Sequence, residues 1–121
     1  MTFDFERMDV YRLSLAAIDS CIAIAQRMPR GHGNLADQLR RAVASISLNV
    51  SEGSGEFKPA EKARFYRIAL RSTSETCSII QIGNRLKIIN DELYRDAYEL
   101  LTRIAKMLTR LVSSVENRGS H

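Results

Sequence analysis

The segment Gln38–Gly53, which reads QLRRAVASISLNVSEG, constrains the fold more than any other part of the chain. Its apolar residues recur at steps of three and four, the spacing that places side chains on one face of an α-helix: Leu39, Ala42, Val43, Ile46 and Val50. Polar residues follow the same steps beside them and define a polar ridge: Gln38, Arg41, Ser45, Asn49 and Glu52. We therefore expect a helix whose apolar face lies in a core and whose polar ridge meets specific polar partners.

The length and composition of the chain predict one folded, all-α domain. A chain of 121 residues supports one hydrophobic core, and 45% hydrophobic with 26% charged residues is typical of a folded protein. The two prolines and six glycines fall outside the long periodic stretches, except for Gly83, so we expect long helices and no sheet. The domain should cover residues 1–118, because residues 119–121 (Gly-Ser-His) look like a remnant of cloning.

The first two helices are predicted from their apolar spacing and from the residues that stop and start helices. The first should run over Asp9–Met28, because Pro29 and the glycines after it stop a helix. The second should run over Leu35–Gly53, with Asn34 as its N-cap and Asp37 in its first turn.

The third and fourth helices complete the predicted fold. Pro59 suits a first helical position, and the helix that follows should present one core face: Phe65, Ile68, Ala69, Ser72, Thr76, Ile79, Gly83 and Leu86. Asn90 marks the end of this helix and the cap of the fourth, whose apolar face continues to Val115. Short connections between four such helices predict an antiparallel up-down-up-down four-helix bundle.

The chain carries more apolar helix surface than one bundle core requires. The first helix has a second stripe about 100° around from its core face: Tyr11, Leu15, Ile18 and Ile22. The second helix adds Leu48 on its polar side, and the third adds Ile82, Leu70 and Ile89 outside its core face. From the first-helix stripe, Leu48 and Ile82 we predict a homo-oligomer interface. The alternative is a core that is merely thick.

Several parts of the sequence together resemble a known family. They are the Gln38–Gly53 segment, the stop at Pro29, the opening residues Phe5, Met8, Val10 and Tyr11, and Arg67-Ile68-Ala69 followed by Ser72 and Glu75. This pattern resembles the 23S rRNA intervening-sequence protein family, also called the four helix bundle protein family, from about Phe5 to Val115. Its most specific part is Arg40-Arg41-Ala42 combined with Asn49, Glu52 and Gly53. The sequence departs from the family at Arg71, where glycine is usual, and at Lys58, where a capping serine is usual.

The resemblance implies an all-α bundle with no established enzymatic activity. It also implies a distant similarity to the accessory proteins of diversity-generating retroelements, which assemble as rings of five and engage nucleic acid and a reverse transcriptase. A pentameric ring of this kind would account for the second stripe on the first helix.

A basic surface on the third helix indicates nucleic acid as a candidate partner. The net charge is +4, the pI is near 9.4, and four arginines lie together away from the core face: Arg64, Arg67, Arg71 and Arg85. The alternative is a solvated face in which these arginines pair with Glu61, Glu75 and neighbouring helices.

The polar ridge has a structural and a functional interpretation. In the structural one, Asn49 and Glu52 bond to Ser72, Glu75, Arg41 or helix ends and fix the register of the second and third helices. In the functional one, the ridge binds a ligand or a partner. We favour the structural interpretation.

The sequence predicts no enzyme, cofactor or metal site. His32 lies in a connection and His121 at the end, so no helix offers a histidine as a base or ligand, and the Glu-x-x-His motifs of di-iron bundles do not occur. Glu52 with Glu75 is the remaining candidate carboxylate pair. We expect Cys21 and Cys77 to be reduced, apolar packing residues.

The predicted location is the cytoplasm, without membrane association. The longest apolar run, Cys21–Ala25, is far below the roughly 20 residues that cross a bilayer, and the start of the chain lacks a secretory layout. Two functions remain: an oligomeric scaffold or accessory protein that binds RNA or DNA through its basic surface, and a purely structural module that binds protein partners.

Overall fold

The computed structural model describes residues 2–119 and is all-α over that range, with four α-helices and no strand. A short 3-10 helix at Asp4–Arg7 precedes them. The four α-helices span the following residues: α1 Asp9–Gln26, α2 Gly33–Ser54, α3 Pro59–Arg85 and α4 Asp91–Gly119.

The predicted starts of α3 and α4 are confirmed, whereas that of α2 is wrong. Pro59 is the first residue of α3, and the Asn90 side-chain oxygen accepts hydrogen bonds from the backbone N–H groups of Glu92 at 2.9 Å and Leu93 at 3.1 Å. The second helix begins at Gly33, so Asn34 lies inside its first turn instead of capping it. The residue at the N-cap position is His32, and its side chain makes no capping hydrogen bond.

The third helix ends earlier than predicted, in a turn that reverses the chain. Lys87 has a left-handed φ of 61° and donates its backbone N–H to Asn84 O at 3.0 Å, while Ile88 donates to Gly83 O at 3.1 Å. These two bonds form a Schellman motif. The reversal folds Ile89 back over Gly83, so that a Cβ on Gly83 would lie 2.9 Å from Ile89 Cγ1. Ile89, predicted outside the core face, is therefore buried.

One hydrophobic core joins the four helices, with a smaller cluster at one end. The largest fully buried apolar side chains of the core come from all four: Ile24, Leu39, Val43, Ile46, Val50, Ile80, Leu101, Ile104 and Leu108. Ala63, Tyr66 and Val115 form the end cluster, against which Met8 packs. Each helix packs closely on its neighbours in the cycle α1–α2–α3–α4, whereas within residues 2–119 the backbones of the diagonal pairs, α1 with α3 and α2 with α4, do not approach each other closely.

The core face of α3 differs from the predicted one at three positions. Phe65 and Ile68 are half-buried, and Leu86, which follows the last residue of α3, is 51% exposed. Tyr66 and Ile80, which were not on the predicted face, are buried instead. The Tyr66 ring lies directly on Gly53 of α2, where a Cβ would be 2.7 Å from the ring. This close approach requires glycine at position 53.

Candidate interaction surfaces

Most of the residues predicted to form an oligomer interface lie on α1 and α2. Leu15 is 42% exposed and Leu48 63%. They directly follow Ser14 and Ser47, whose hydroxyls share a buried hydrogen bond of 2.7 Å. Leu15 and Leu48 therefore lie beside the contact of α1 with α2. We define the apolar face as these two leucines and the rest of the α1 stripe: Tyr11, Ile18 and Ile22.

Part of the apolar stripe on α1 is covered by its own chain. Tyr11 and Ile18 are half-buried and pack against the core. The ring of Phe5, in the 3-10 helix, meets Tyr11 edge-on at a centroid distance of 4.8 Å. Ile82, 50% exposed, lies on α3, whose backbone does not come close to that of α1 in the described part of the chain. Ile82 is therefore separate from the apolar face.

The four arginines predicted to contact nucleic acid do not form one continuous basic patch. Arg64 pairs with Glu61 at 3.1 Å, and its guanidinium lies 4.6 Å from the Phe65 ring centroid. Arg67 pairs with Glu116 of α4 at 2.9 Å.

Arg71 and Arg85 are exposed and form no ion pair within residues 2–119. They are separated by 14 residues of helix, about 21 Å at 1.5 Å per residue. Arg85 therefore stands well away from the other three.

The polar ridge splits into a bonded centre and exposed ends. Ser45 Oγ shares a hydrogen bond of 2.8 Å with Ser72 Oγ of α3. The Asn49 amide donates to Ser45 O at 2.8 Å and to Ser45 Oγ at 3.0 Å. Gln38, Arg41 and Glu52 are exposed. Gln38 and Arg41 line a shallow polar cleft with Ser45 and Glu75.

Lys62 is a bonded residue that sequence reasoning missed. Its ammonium donates to the backbone oxygens of Gly53 at 2.7 Å and Ser54 at 3.1 Å, the last carbonyls of α2. A cation at a helix C-terminus satisfies free carbonyls and the helix dipole. Burial lowers the pKa of Lys62, and the charge of Arg118 lowers it further. The contact joins residues on different helices, which apolar spacing along the chain does not reveal.

A second unpredicted feature is an apolar cleft between α1 and α4. Its walls are Met8, Val10, Met107 and Leu111, and its edges carry Asp9, Arg110 and Ser114. The connection between α2 and α3 presents Phe57, which is 98% exposed. The exposure of Phe57 could have been predicted, because it is an aromatic residue among polar neighbours. The cleft could not, because it forms only when α1 packs on α4.

The two cysteines lie in apolar surroundings, as expected for packing residues. Burial raises the pKa of the Cys21 thiol to about 12 and also raises the pKa of Cys77.

Within residues 2–119 no three His, Cys, Asp or Glu side chains come together as metal ligands. His121 lies outside the described residues. No helix in the described range is long and apolar enough to span a bilayer.

Comparisons with known proteins identify a similar fold and a matching family. The fold is similar to that of a crystal structure of a protein with unknown function from the S23 ribosomal protein family of Bacteroides thetaiotaomicron VPI-5482. That match has a TM-score of 0.77 and 22% sequence identity, and it covers 85% of this chain and 97% of the other. Comparison with curated proteins found no match. The profile of the 23S rRNA-intervening sequence protein family matches residues 6–110. The chain therefore belongs to the 23S rRNA-intervening sequence protein family.

Proposed function

We propose that this protein is a non-enzymatic assembly module whose copies associate through the apolar face. The observation that carries the proposal is the pair of exposed leucines, Leu15 and Leu48, each of which directly follows one of the two serines that bond α1 to α2. Completing the burial of Leu48, now 63% exposed, would contribute about 1 to 2 kcal/mol per copy.

The proposed arrangement of the helices is an antiparallel up-down-up-down bundle. Two contacts support it for α2 and α3: Ser45 meets Ser72, and the later residue Gly53 meets the earlier residue Lys62. The connections at residues 27–32, 55–58 and 86–90 are short enough to join antiparallel neighbours.

An antiparallel pair explains why the two leucines share one face. Ser14 and Ser47 point at each other, and the next residue is rotated by about 100° in each helix. Viewed end-on, the two rotations run in opposite senses, so Leu15 and Leu48 turn to the same side of the pair. The exposed residues on the edges of this side carry both signs of charge: Arg12 and Asp19 on α1, Arg41 and Glu52 on α2.

A second copy of this chain is the occupant that fits such a face. A surface with both signs of charge can match its own opposite charges, whereas nucleic acid or an anionic membrane requires one sign. We propose a closed ring of copies as the assembly, since closed symmetric oligomers are the common solution for identical subunits. Such a ring serves as a scaffold for further partners.

Light scattering coupled to size exclusion tests this proposal. The wild-type chain should elute with a mass that is a multiple of 13.7 kDa, and the multiple gives the number of subunits. Leu48→Glu should shift the mass towards a single chain, because a carboxylate replaces the exposed leucine. Leu86→Glu is the matched control, since Leu86 is 51% exposed just after the end of α3 and its replacement should leave the mass unchanged. A wild-type protein that stays monomeric at every concentration would refute the proposal.

Nucleic-acid binding by the ring is the second function we propose to test. The exposed Arg71 and Arg85 and the net charge of +4 support it, and a ring would repeat these charges around its circumference. An RNA and DNA shift assay over a salt series should show binding that weakens as salt rises. Binding that does not depend on the salt concentration, or no binding at low salt, would reject this function without affecting the proposed self-association.

A further inference from the structure

The connection between α2 and α3 presents an aromatic residue on an ordered backbone. Phe57 is 98% exposed and stands between Glu56 and Lys58. The backbone N–H of Gly55 bonds to Ser51 O and Glu52 O, each at 3.2 Å, and that of Glu56 bonds to Gly53 O at 3.2 Å. The backbone just before Phe57 is therefore tied to the end of α2, and the Phe57 side chain stands in solvent. A backbone that is already ordered loses little conformational entropy when it makes a contact.

The cleft between α1 and α4 is shallow and open, and its apolar surface has the chemistry to receive a phenyl ring. Its walls are the side chains of Met8, Val10, Met107 and Leu111, and its volume is about 420 Å³. Methionine side chains adapt to aromatic rings and make favourable sulfur contacts with them.

The Phe57 connection and the cleft lie at the same end of the molecule but on different sides. Met8 packs on the end cluster of Tyr66 and Val115, and Tyr66 covers Gly53, close before the connection. The connection joins α2 to α3, whereas the cleft lies between α1 and α4. Since Phe57 is 98% exposed in its own chain, it does not fill its own cleft.

The charges beside Phe57 match the charges at the edges of the cleft. Glu56 and Lys58 flank the ring in sequence, and Arg110 and Asp9 flank the cleft. With Phe57 of one copy in the cleft of another, Glu56 can face Arg110 and Lys58 can face Asp9. Opposite charges around an apolar centre are the usual composition of a specific interface.

We propose that Phe57 of each copy docks into the α1–α4 cleft of the next copy. This inference rests on the proposed self-association and adds to it a defined contact between two different surfaces. Such head-to-tail contacts generate rings when the rotation between copies closes. The apolar face and the Phe57 contact then lie on different surfaces of each subunit.

Disulfide trapping between two kinds of chain tests the contact directly. A Phe57→Cys chain is mixed with a Met107→Cys chain, both in a Cys77→Ser background; Cys21 is fully buried. Mild oxidation should produce a covalent heterodimer on a non-reducing gel. The control mixes Leu86→Cys with Met107→Cys, since Leu86 is exposed just after the end of α3, and should give no heterodimer.

The outcomes separate this inference from the proposed function. A heterodimer with Phe57→Cys and none with the control supports the docking. Equal trapping in both mixtures, or none while light scattering still shows an oligomer, overturns the docking and leaves self-association intact. A monomeric wild type overturns both.

Charge exchange gives an independent measurement that does not use cysteine. Glu56→Lys should weaken assembly, and Arg110→Glu in the same chain should restore it, because every contact in a ring then pairs the exchanged charges. Phe57→Ala should raise the dissociation constant by roughly tenfold to a hundredfold, the effect of losing the burial of one large apolar side chain. If the double variant assembled as weakly as Glu56→Lys alone, the proposed pairing of Glu56 with Arg110 would be wrong.

Discussion

Replacing Gly53 by alanine should destabilise the protein, although alanine is the better helix former. A Cβ at this position would lie 2.7 Å from Tyr66 Cε1 and 2.8 Å from Cδ1. Tyr66 is 3% exposed, so its ring has little room to move. The helix propensity of alanine favours the variant by about 1 kcal/mol, and overpacking costs about 1 to 3 kcal/mol. We expect a net loss of up to about 2 kcal/mol.

Chemical denaturation at one fixed protein concentration measures this difference, because assembly would make stability depend on concentration. Gly33→Ala is the matched control: no atom lies within 4 Å of its Cβ, so it should be neutral or slightly stabilising. Tyr66→Leu in the Gly53→Ala background should recover part of the loss, since it removes the ring. A Gly53→Ala protein more stable than the wild type would show that the Tyr66 contact does not constrain this position.

Three further predictions follow from single contacts. Lys87→Gly should stabilise the protein by about 1 kcal/mol in thermal unfolding, because Lys87 holds a φ of 61° that glycine adopts without strain; an unchanged or lower midpoint would contradict this. Ser45 and Ser72 share a bond of 2.8 Å, so a double-mutant cycle with alanine should give a coupling of about 0.5 to 1.5 kcal/mol, whereas additive losses would exclude a role in register. Burial raises the pKa of Cys21 from 9.0 to about 12, so its contribution to stability is complete below pH 9 and is lost as the pH rises towards 12, with a slope of up to about 1.4 kcal/mol per pH unit. Denaturation at pH 9 and 11 should show a smaller decrease in the free energy of unfolding for Cys21→Ala than for the wild type. Equal decreases would contradict the raised pKa of Cys21.

The helices were predictable from sequence because their signals are local. Apolar spacing, Pro59 at a helix start and Asn90 as a cap each act within a few residues. The predicted end of α3 was wrong because Lys87 closes the helix in a left-handed conformation. Glycine is the usual sequence signal for that conformation, and a lysine at this position gives no such signal. Likewise Phe65 was placed in the core by its hydrophobicity, while the neighbouring residue Tyr66 is the one buried, against Gly53 of another helix. Leu86 was placed there too, but it follows the last residue of α3 and is exposed.

The candidate surfaces were predictable only in part, because exposure depends on how helices pack together. The stripe on α1 was visible as a spacing, but the cover that Phe5 places over Tyr11 depends on how the first residues fold back. Ile82 was grouped with this stripe because both are apolar, yet the backbones of α3 and α1 are not close neighbours within the described residues. The ion pair of Arg67 with Glu116 joins residues 49 positions apart, beyond the reach of any spacing argument.

The coverage of Tyr11 and Ile18 also limits what the apolar face can contribute to assembly. Because Tyr11 and Ile18 are half-buried within their own chain, Leu15 and Leu48 are the most exposed large apolar side chains of the face. Stable interfaces bury about 800 Å² per partner, far more than two partly exposed leucines provide. A stable ring therefore requires a second contact, and docking of Phe57 into the α1–α4 cleft would supply one. On this reasoning Leu48→Glu and Phe57→Ala should each weaken assembly, and their combination should leave single chains. If either variant alone left the assembly as tight as the wild type, the two-contact account would be wrong.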